Sequence, residues 1–122
     1  MGRQHDELAD AVAALADAET VSFGGVGLAG TMLPETEAYQ RIEEAAGDRP
    51  DEVRGQLERL LSAGSPAARV YAATLLDRLD PAAGRAAWTA LRADPAQLNT
   101  ATGCVLDSTT VGEYAANRLA ES

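Results

Sequence analysis

The fold is decided by residues 65–95, which read SPAARVYAATLLDRLDPAAGRAAWTALRADP. Two runs of apolar residues in this stretch follow the spacing of one helical face, and each run begins after a proline. Proline is favoured at the first position of a helix and excluded from its interior. Ser65-Pro66 and Asp80-Pro81 therefore each predict an N-cap followed by a first helical residue. The stretch predicts two helices, over residues 66–79 and 81–93, joined by a short turn.

The same proline punctuation extends beyond this stretch. The chain has five nearly evenly spaced prolines, at Pro34, Pro50, Pro66, Pro81 and Pro95. Helical apolar spacing over 35–46 and 51–62 predicts two more helices, and Gly47 and Gly64 stand where a C-cap glycine would end them. Asp94-Pro95 carries the same cap-and-proline signature as the earlier helix starts. The spacing predicts stacked helix pairs with a unit of about 31 residues.

The two ends and two uncharged segments depart from this pattern. Residues 4–18 predict an amphipathic N-terminal helix, and Thr110 with Glu113 forms a capping-box pair that starts a last helix. Residues 20–34 and 95–106 contain no charged residue, which is unusual for surface loops. We expect these two segments to pack against each other, with short strands at 20–23 and 98–102.

Residues 65–95 also resemble a HEAT-like helical repeat of the short bacterial type. The matching positions are a proline and an arginine in the first helix, an Ala-Ala-x-x-Leu core, an Asp-Pro turn and a closing Leu-x-x-Asp. They are Pro66, Arg69, Ala72, Ala73, Leu76, Asp80, Pro81, Leu91 and Asp94. Residues 35–63 look like a more divergent preceding unit. The resemblance implies an all-α, HEAT-like stack of about six helical elements, to which the two uncharged segments add a small two-stranded β element. It leaves the function open, because such repeats serve as scaffolds, lyases and DNA-binding surfaces alike.

Length and charge restrict the class of protein. The 122 residues are the size of one domain with its own core, so we expect a single domain over residues 1–122. A net charge of −9 argues against binding to nucleic acid or to an anionic membrane surface, since both need surplus basic residues. All ten basic residues are arginines, which excludes a lysine Schiff base and a Walker lysine. No signal-peptide or membrane-spanning pattern is present, so we expect a cytoplasmic protein.

A glycine motif occurs in VSFGGVGLAG, residues 21–30. Gly25, Gly27 and Gly30 have the G-x-G-x-x-G spacing of a dinucleotide-binding loop. That loop needs a long helix opening at the third glycine, and Pro34 would interrupt such a helix. We therefore interpret the motif as a tight connection between the N-terminal helix and the repeats. The alternative is a loop that presents backbone N–H groups to a small anion or a peptide end.

Residue types for catalysis and metal binding are scarce. His5 is the only histidine and stands near the start of the chain, so no His-Glu set for zinc or iron can form. Cys104 is the only cysteine and lacks an evident base, which favours a small packing residue over a nucleophile. Adjacent acids such as Glu43 and Glu44 point about 100° apart on a helix and do not face one cleft. We predict no catalytic residue, no metal site and no cofactor.

The remaining candidate is a binding surface on the helices. The residue types that usually anchor interfaces are Trp, Tyr and Arg, here Arg69, Tyr71, Arg78, Arg85 and Trp88. The alternative is that the two aromatic residues complete an alanine-rich core and the arginines pair with Asp77, Asp80 or Glu58.

Three functional hypotheses follow from the sequence. The first is a non-enzymatic binding or scaffold module that engages another protein through a helical groove. The second is a small-molecule or enzymatic site formed where the loop of Gly25, Gly27 and Gly30 meets the segment around Cys104. The third is an acidic inhibitor of a basic protein, which high salt would weaken.

Overall fold

The structure is a computed structural model and describes residues 2–18, 20–21, 34–102 and 105–121. In this part of the chain there are six helices and a small three-stranded sheet, whose strands contact α2, α4 and α6. The helices are α1 (Gly2–Ala16), α2 (Pro34–Asp48), α3 (Pro50–Ala63), α4 (Pro66–Leu79), α5 (Pro81–Leu91) and α6 (Val111–Glu121). The strands are β1 (Thr20–Val21), β2 (Gln97–Thr102) and β3 (Val105–Thr110). The predicted stack of about six helices with a small β element is confirmed; the relationship to HEAT-like repeats stays a prediction.

Four of the five prolines begin a helix, as predicted: α2, α3, α4 and α5 each start at one. The prediction is wrong for Asp94-Pro95, which is followed by β2 instead. The Asp94 carboxylate accepts a hydrogen bond from the Ala96 N–H at 2.9 Å, which closes a turn rather than a helical cap. Two residues after Ala96, the side chain of Leu98 is buried in the core, and this burial stabilises the extended conformation of β2.

The end of α3 depends on a close approach at Gly64. A Cβ at this position would lie 2.7 Å from the Leu60 carbonyl oxygen and 2.8 Å from the Ala68 Cβ. Gly64 is extended, with a φ of −78°, so the glycine is required for space rather than for a left-handed conformation. The other predicted C-cap glycine, Gly47, lies inside α2 with nothing within 4 Å of a Cβ. That prediction is wrong because α2 continues to Asp48.

Helix α4 lies at the centre of the molecule. It contacts each of the other five helices as well as β1 and β2. Its buried residues are mostly small or aliphatic and cover nearly its whole length: Ala67, Ala68, Val70, Tyr71, Ala72, Ala73, Thr74, Leu75 and Leu76. Alanines on several sides of one helix allow the surrounding helices to come close, so the core is thin and continuous.

The other helices bury one face only. In α3, for example, the buried residues are Val53, Leu57 and Leu60, which recur at helical spacing, while Arg54 and Glu58 are exposed. Among the described helices, none is both long enough and apolar enough to cross a membrane.

The sheet joins the two uncharged segments. Strand β1 pairs in parallel with β2, with Thr20 opposite Asn99 and Val21 opposite Thr100. The predicted packing is therefore confirmed for Thr20 and Val21, whereas residues 22–33, with the rest of the predicted strand 20–23, lie outside the described residues. Strand β3 extends the sheet by antiparallel pairing with β2, from Gln97 opposite Thr110 to Thr102 opposite Val105.

Ser65 ties the start of α4 to the end of α1. Its hydroxyl accepts from the Ala68 N–H at 3.2 Å, as an N-cap does, and donates to the Ala18 carbonyl at 2.6 Å. We expect Ser65→Ala to lower the free energy of unfolding by about 1.5 kcal/mol, measured by chemical denaturation. The matched control is Ser62→Ala, because the exposed Ser62 hydroxyl contacts only carbonyls of its own helix. Equal effects of the two substitutions would contradict the linking role of Ser65.

Candidate functional site

Both aromatic residues predicted for the binding surface lie in the core. Tyr71 is fully buried, and its ring centroid is 5.5 Å from that of Tyr39 on α2. Trp88 is 3% exposed, and its ring lies 5.8 Å from Tyr114 on α6. The Arg118 guanidinium stands over the Trp88 ring at 5.5 Å, a cation–π contact that fixes α6 against α5. These rings contribute to packing between helices rather than to the surface.

The three predicted arginines have different surroundings. Arg69 is engaged within the molecule: its Nε donates to the Gly64 carbonyl at 3.1 Å and its Nη1 to Asp94 Oδ2 at 2.6 Å. Arg78 is exposed at the end of α4 and forms an ion pair with Glu43 of α2. Arg85 is exposed on α5, and no described side chain pairs with its guanidinium.

Two of the three predicted ion-pair partners, Glu58 and Asp80, pair with a different arginine. Arg54 of α3 lies 3.6 Å from Glu58 and 3.4 Å from Asp80, and all three side chains are well exposed. The i,i+4 spacing of Arg54 and Glu58 is a signal that sequence analysis missed, whereas the pair with Asp80 depends on how α3 and α4 are placed. Such exposed pairs contribute little to stability.

The outward side of α5 is chemically distinct from the rest of the surface. After Pro81, the exposed residues of α5 are Ala82, Arg85, Ala86, Thr89 and Ala90. We call these five residues the α5 outer face. No acidic residue occurs in α5, whereas each of the other described helices carries at least one Asp or Glu. The face thus combines small side chains with a positive charge that no described side chain pairs with, in a chain of net charge −9.

Asp94 joins three elements at the start of α6. Its carboxylate binds Arg69 of α4 and the Ala96 N–H, and its carbonyl accepts the Gly112 N–H at 2.9 Å. A Cβ at Gly112 would lie 2.6 Å from the Arg92 carbonyl oxygen, so glycine is needed for this approach. Sequence analysis interpreted Asp94 as a helix cap and as the closing Asp of the repeat pattern, and gave no signal for these long-range contacts.

The predicted capping box at α6 is confirmed in one half. The Glu113 N–H donates to Thr110 Oγ1 at 3.1 Å, which is the expected N-cap bond. The Glu113 carboxylate instead accepts from the Thr109 hydroxyl at 2.8 Å. Glu113 therefore fastens the end of β3 to the first turn of α6.

An open cleft of about 490 Å³ lies beside this junction. Its walls are the turn after α5 and the first turns of α6, namely Arg92, Ala93, Asp94, Pro95, Thr110, Gly112, Glu113 and Ala116. Asp94 and Glu113 already have partners within the protein, and the lining contains no cysteine or histidine. The cleft offers shape and one exposed arginine rather than a reactive group.

Tyr39 is a buried titratable residue next to Tyr71. Burial raises the pKa of its hydroxyl above the ordinary value, and the positive charge of Arg78 opposes that shift. The phenol is therefore neutral at neutral pH and acts as a packing group. Within the described ranges, no three His, Cys, Asp or Glu side chains are grouped closely enough to hold a metal ion.

The second predicted site falls outside the described residues. The structure does not describe Gly25, Gly27, Gly30 or Cys104, nor any contact between them. Strands β1 and β2 are parallel, so both run toward the same end of the sheet. In the chain, residues 25–30 come after β1 and Cys104 comes after β2. The small-molecule hypothesis stays a prediction, as does the acidic inhibitor.

Sequence analysis missed β3. Two six-residue runs that each contain two threonines, QLNTAT and VLDSTT, are separated by Gly103 and Cys104 and form the hairpin signal that could have indicated it. The capping pair at Thr110 and Glu113 drew attention to the following helix instead.

Comparison with known proteins gives no relationship: no family model, no curated protein and no solved structure matches this chain. The functional argument accordingly depends on the residues and their geometry.

Proposed function

We propose that this protein is a non-enzymatic binding module that holds an acidic helix of a partner protein against the α5 outer face. The observation that supports the proposal is the composition of that face, with exposed alanines on an acid-free helix and an Arg85 guanidinium that no described side chain pairs with. Trp88 supports the same face from inside, since its ring packs against Tyr114 of α6 and lies under the Arg118 guanidinium.

The chemistry of the face favours a helix over other partners. Ala82, Ala86 and Ala90 recur every fourth residue, so a second helix can approach α5 closely along this row. Arg85 flanks the row and presents a planar guanidinium that binds carboxylates in two-point fashion. On this face an acidic helix meets no carboxylate of α5, so Arg85 attracts it locally even though the net charge of −9 opposes its approach.

The proposal is tested by photo-crosslinking in the cells that produce the protein. A photoreactive residue at Ala86 is expected to capture a partner, and one at the exposed Gly55 of α3 is not. Arg85→Glu is expected to abolish capture at position 86, because it places a negative charge opposite an acidic helix.

The matched control is Arg59→Glu, which makes the same charge change at an exposed arginine of α3. It should leave the crosslink at position 86 unchanged. Equal capture at positions 55 and 86, or equal sensitivity to the two charge reversals, would contradict the proposal.

A further inference from the structure

Strand β3 forms the outer side of the described sheet. In the order β1-β2-β3, β2 lies on one side of β3, and no strand of the described residues lies on the other. Asp107 and Ser108, in the middle of the strand, are exposed. An edge strand of this kind presents backbone N–H and C=O groups that another strand can pair with.

Asp107 covers one of these backbone groups. Its Oδ1 accepts a hydrogen bond from the Ser108 N–H at 2.8 Å. Because the Ser108 N–H donates to this side chain, it points away from β2. Ser108 is therefore one of the residues of β3 whose backbone N–H and C=O groups face outward. Because successive residues of a strand face opposite sides, the backbone groups of Leu106 face outward as well.

We propose that the open edge of β3 accepts an extended basic segment of a partner protein, which adds a further strand to the sheet. A backbone carbonyl of the incoming segment takes over the Ser108 N–H. The released Asp107 carboxylate then pairs with a lysine or arginine of the segment. The surface is distinct from the α5 outer face and selects the opposite charge.

Charge decides which occupant fits this edge. The backbone of any segment replaces the bond to the Ser108 N–H, but an uncharged segment offers the released Asp107 carboxylate no new partner, and an acidic segment adds repulsion. Glu113, in the first turn of α6 and bonded to Thr109, supplies a second negative charge near the end of the strand. A second copy of this chain is disfavoured, because each copy carries a net charge of −9.

The test uses short fluorescent peptides of alternating valine with lysine, serine or glutamate. The lysine peptide is expected to bind in a fluorescence-anisotropy titration and to slow hydrogen exchange at the Leu106 and Ser108 amides, read by NMR. The serine and glutamate peptides are expected to do neither. Equal binding by the glutamate peptide, or binding without slower exchange in β3, would overturn the proposal.

Two substitutions isolate the charge and the backbone contact. Asp107→Asn keeps an acceptor for the Ser108 N–H but loses the charge, so affinity for the lysine peptide should fall about threefold. Ser108→Pro removes the outward donor without removing a bond to β2, and should weaken binding by more than about tenfold.

Asp10→Asn, an exposed acid on α1, is the matched control and should leave affinity unchanged. Arg85→Glu should leave it unchanged too, which separates this edge from the α5 outer face. Wild-type affinity in both β3 variants would refute the assignment. So would dimerisation of the wild-type chain that Ser108→Pro abolishes, since the edge would then belong to a second copy.

Discussion

Gly84→Ala is expected to destabilise the protein by about 3 kcal/mol, although alanine is the better helix former. Gly84 is buried where α5 crosses α4. A Cβ there would lie 2.3 Å from Cα and 2.4 Å from Cβ of Asp77. The Cα is a backbone atom of α4 and the Cβ is attached directly to it, so no side-chain rotation can move either atom away. The two helices would have to separate, and the loss of packing around Ala87 and Trp88 would exceed the gain of about 1 kcal/mol in helix propensity.

Gly55→Ala is the matched control for this substitution. Gly55 is an exposed residue inside α3, and nothing lies within 4 Å of a Cβ built on it. Here only the helix propensity changes, so we expect stabilisation by about 0.5–1 kcal/mol. Urea denaturation of both variants measures the opposite signs. A Gly84→Ala midpoint equal to or above that of the wild type would show that α4 and α5 do not approach this closely.

Asp94→Ala is expected to lower the free energy of unfolding by about 2–3 kcal/mol, the second large effect. The substitution removes the 2.6 Å ion pair with Arg69 and the hydrogen bond from the Ala96 N–H. The side chains of Arg69 and Asp94 are only 27% and 16% exposed, so water replaces the lost partners poorly. The α5–β2 turn and the start of α6, which binds the Asp94 carbonyl, should loosen together.

Two further variants separate the contributions at Asp94. Asp94→Asn retains an acceptor for the Ala96 N–H while losing the charge opposite Arg69, so its destabilisation should be intermediate. Arg54→Ala breaks the ion pair between Arg54 and Asp80, whose side chains are 45% and 41% exposed, respectively. It should lower the free energy of unfolding by less than about 1 kcal/mol. Chemical denaturation compares the three. If Asp94→Ala cost no more than Arg54→Ala, the junction at Asp94 would not be the structural link described above.

Local signals predicted the helices well. A proline after Ser65 or Asp80 restricts the backbone at that residue, so α4 and α5 begin where the sequence indicates. The same signal failed at Asp94-Pro95, although Asp94 Oδ1 accepts from the N–H two residues further on just as Asp80 Oδ1 does at the start of α5. Such a bond fits a turn as well as a helical cap, and the burial of Leu98 and the pairing of β2 with β3 place a strand after Pro95.

Which of the candidate binding residues are exposed could be predicted only in part. The sequence indicated that Trp, Tyr and Arg are interface residue types, and Arg85 is indeed at the surface. Tyr71 and Trp88 are equally suited to a core, and their side of the helix decides between the two roles. In α4 that distinction was not visible, because the helix is surrounded and has little exposed face.

The sequence by itself determined the helix starts and the predominance of helices, because these depend on local sterics and on hydrophobic spacing. It also indicated the contact of Thr20 and Val21 with β2, because uncharged segments are favoured to pack against each other rather than face water. Only the tertiary structure decided that α4 is central, that Gly84 and Gly112 lie at close approaches, and that β3 has an open edge. Those properties depend on which surfaces of different elements face each other across the fold. The spacing of residues along the chain does not encode that arrangement.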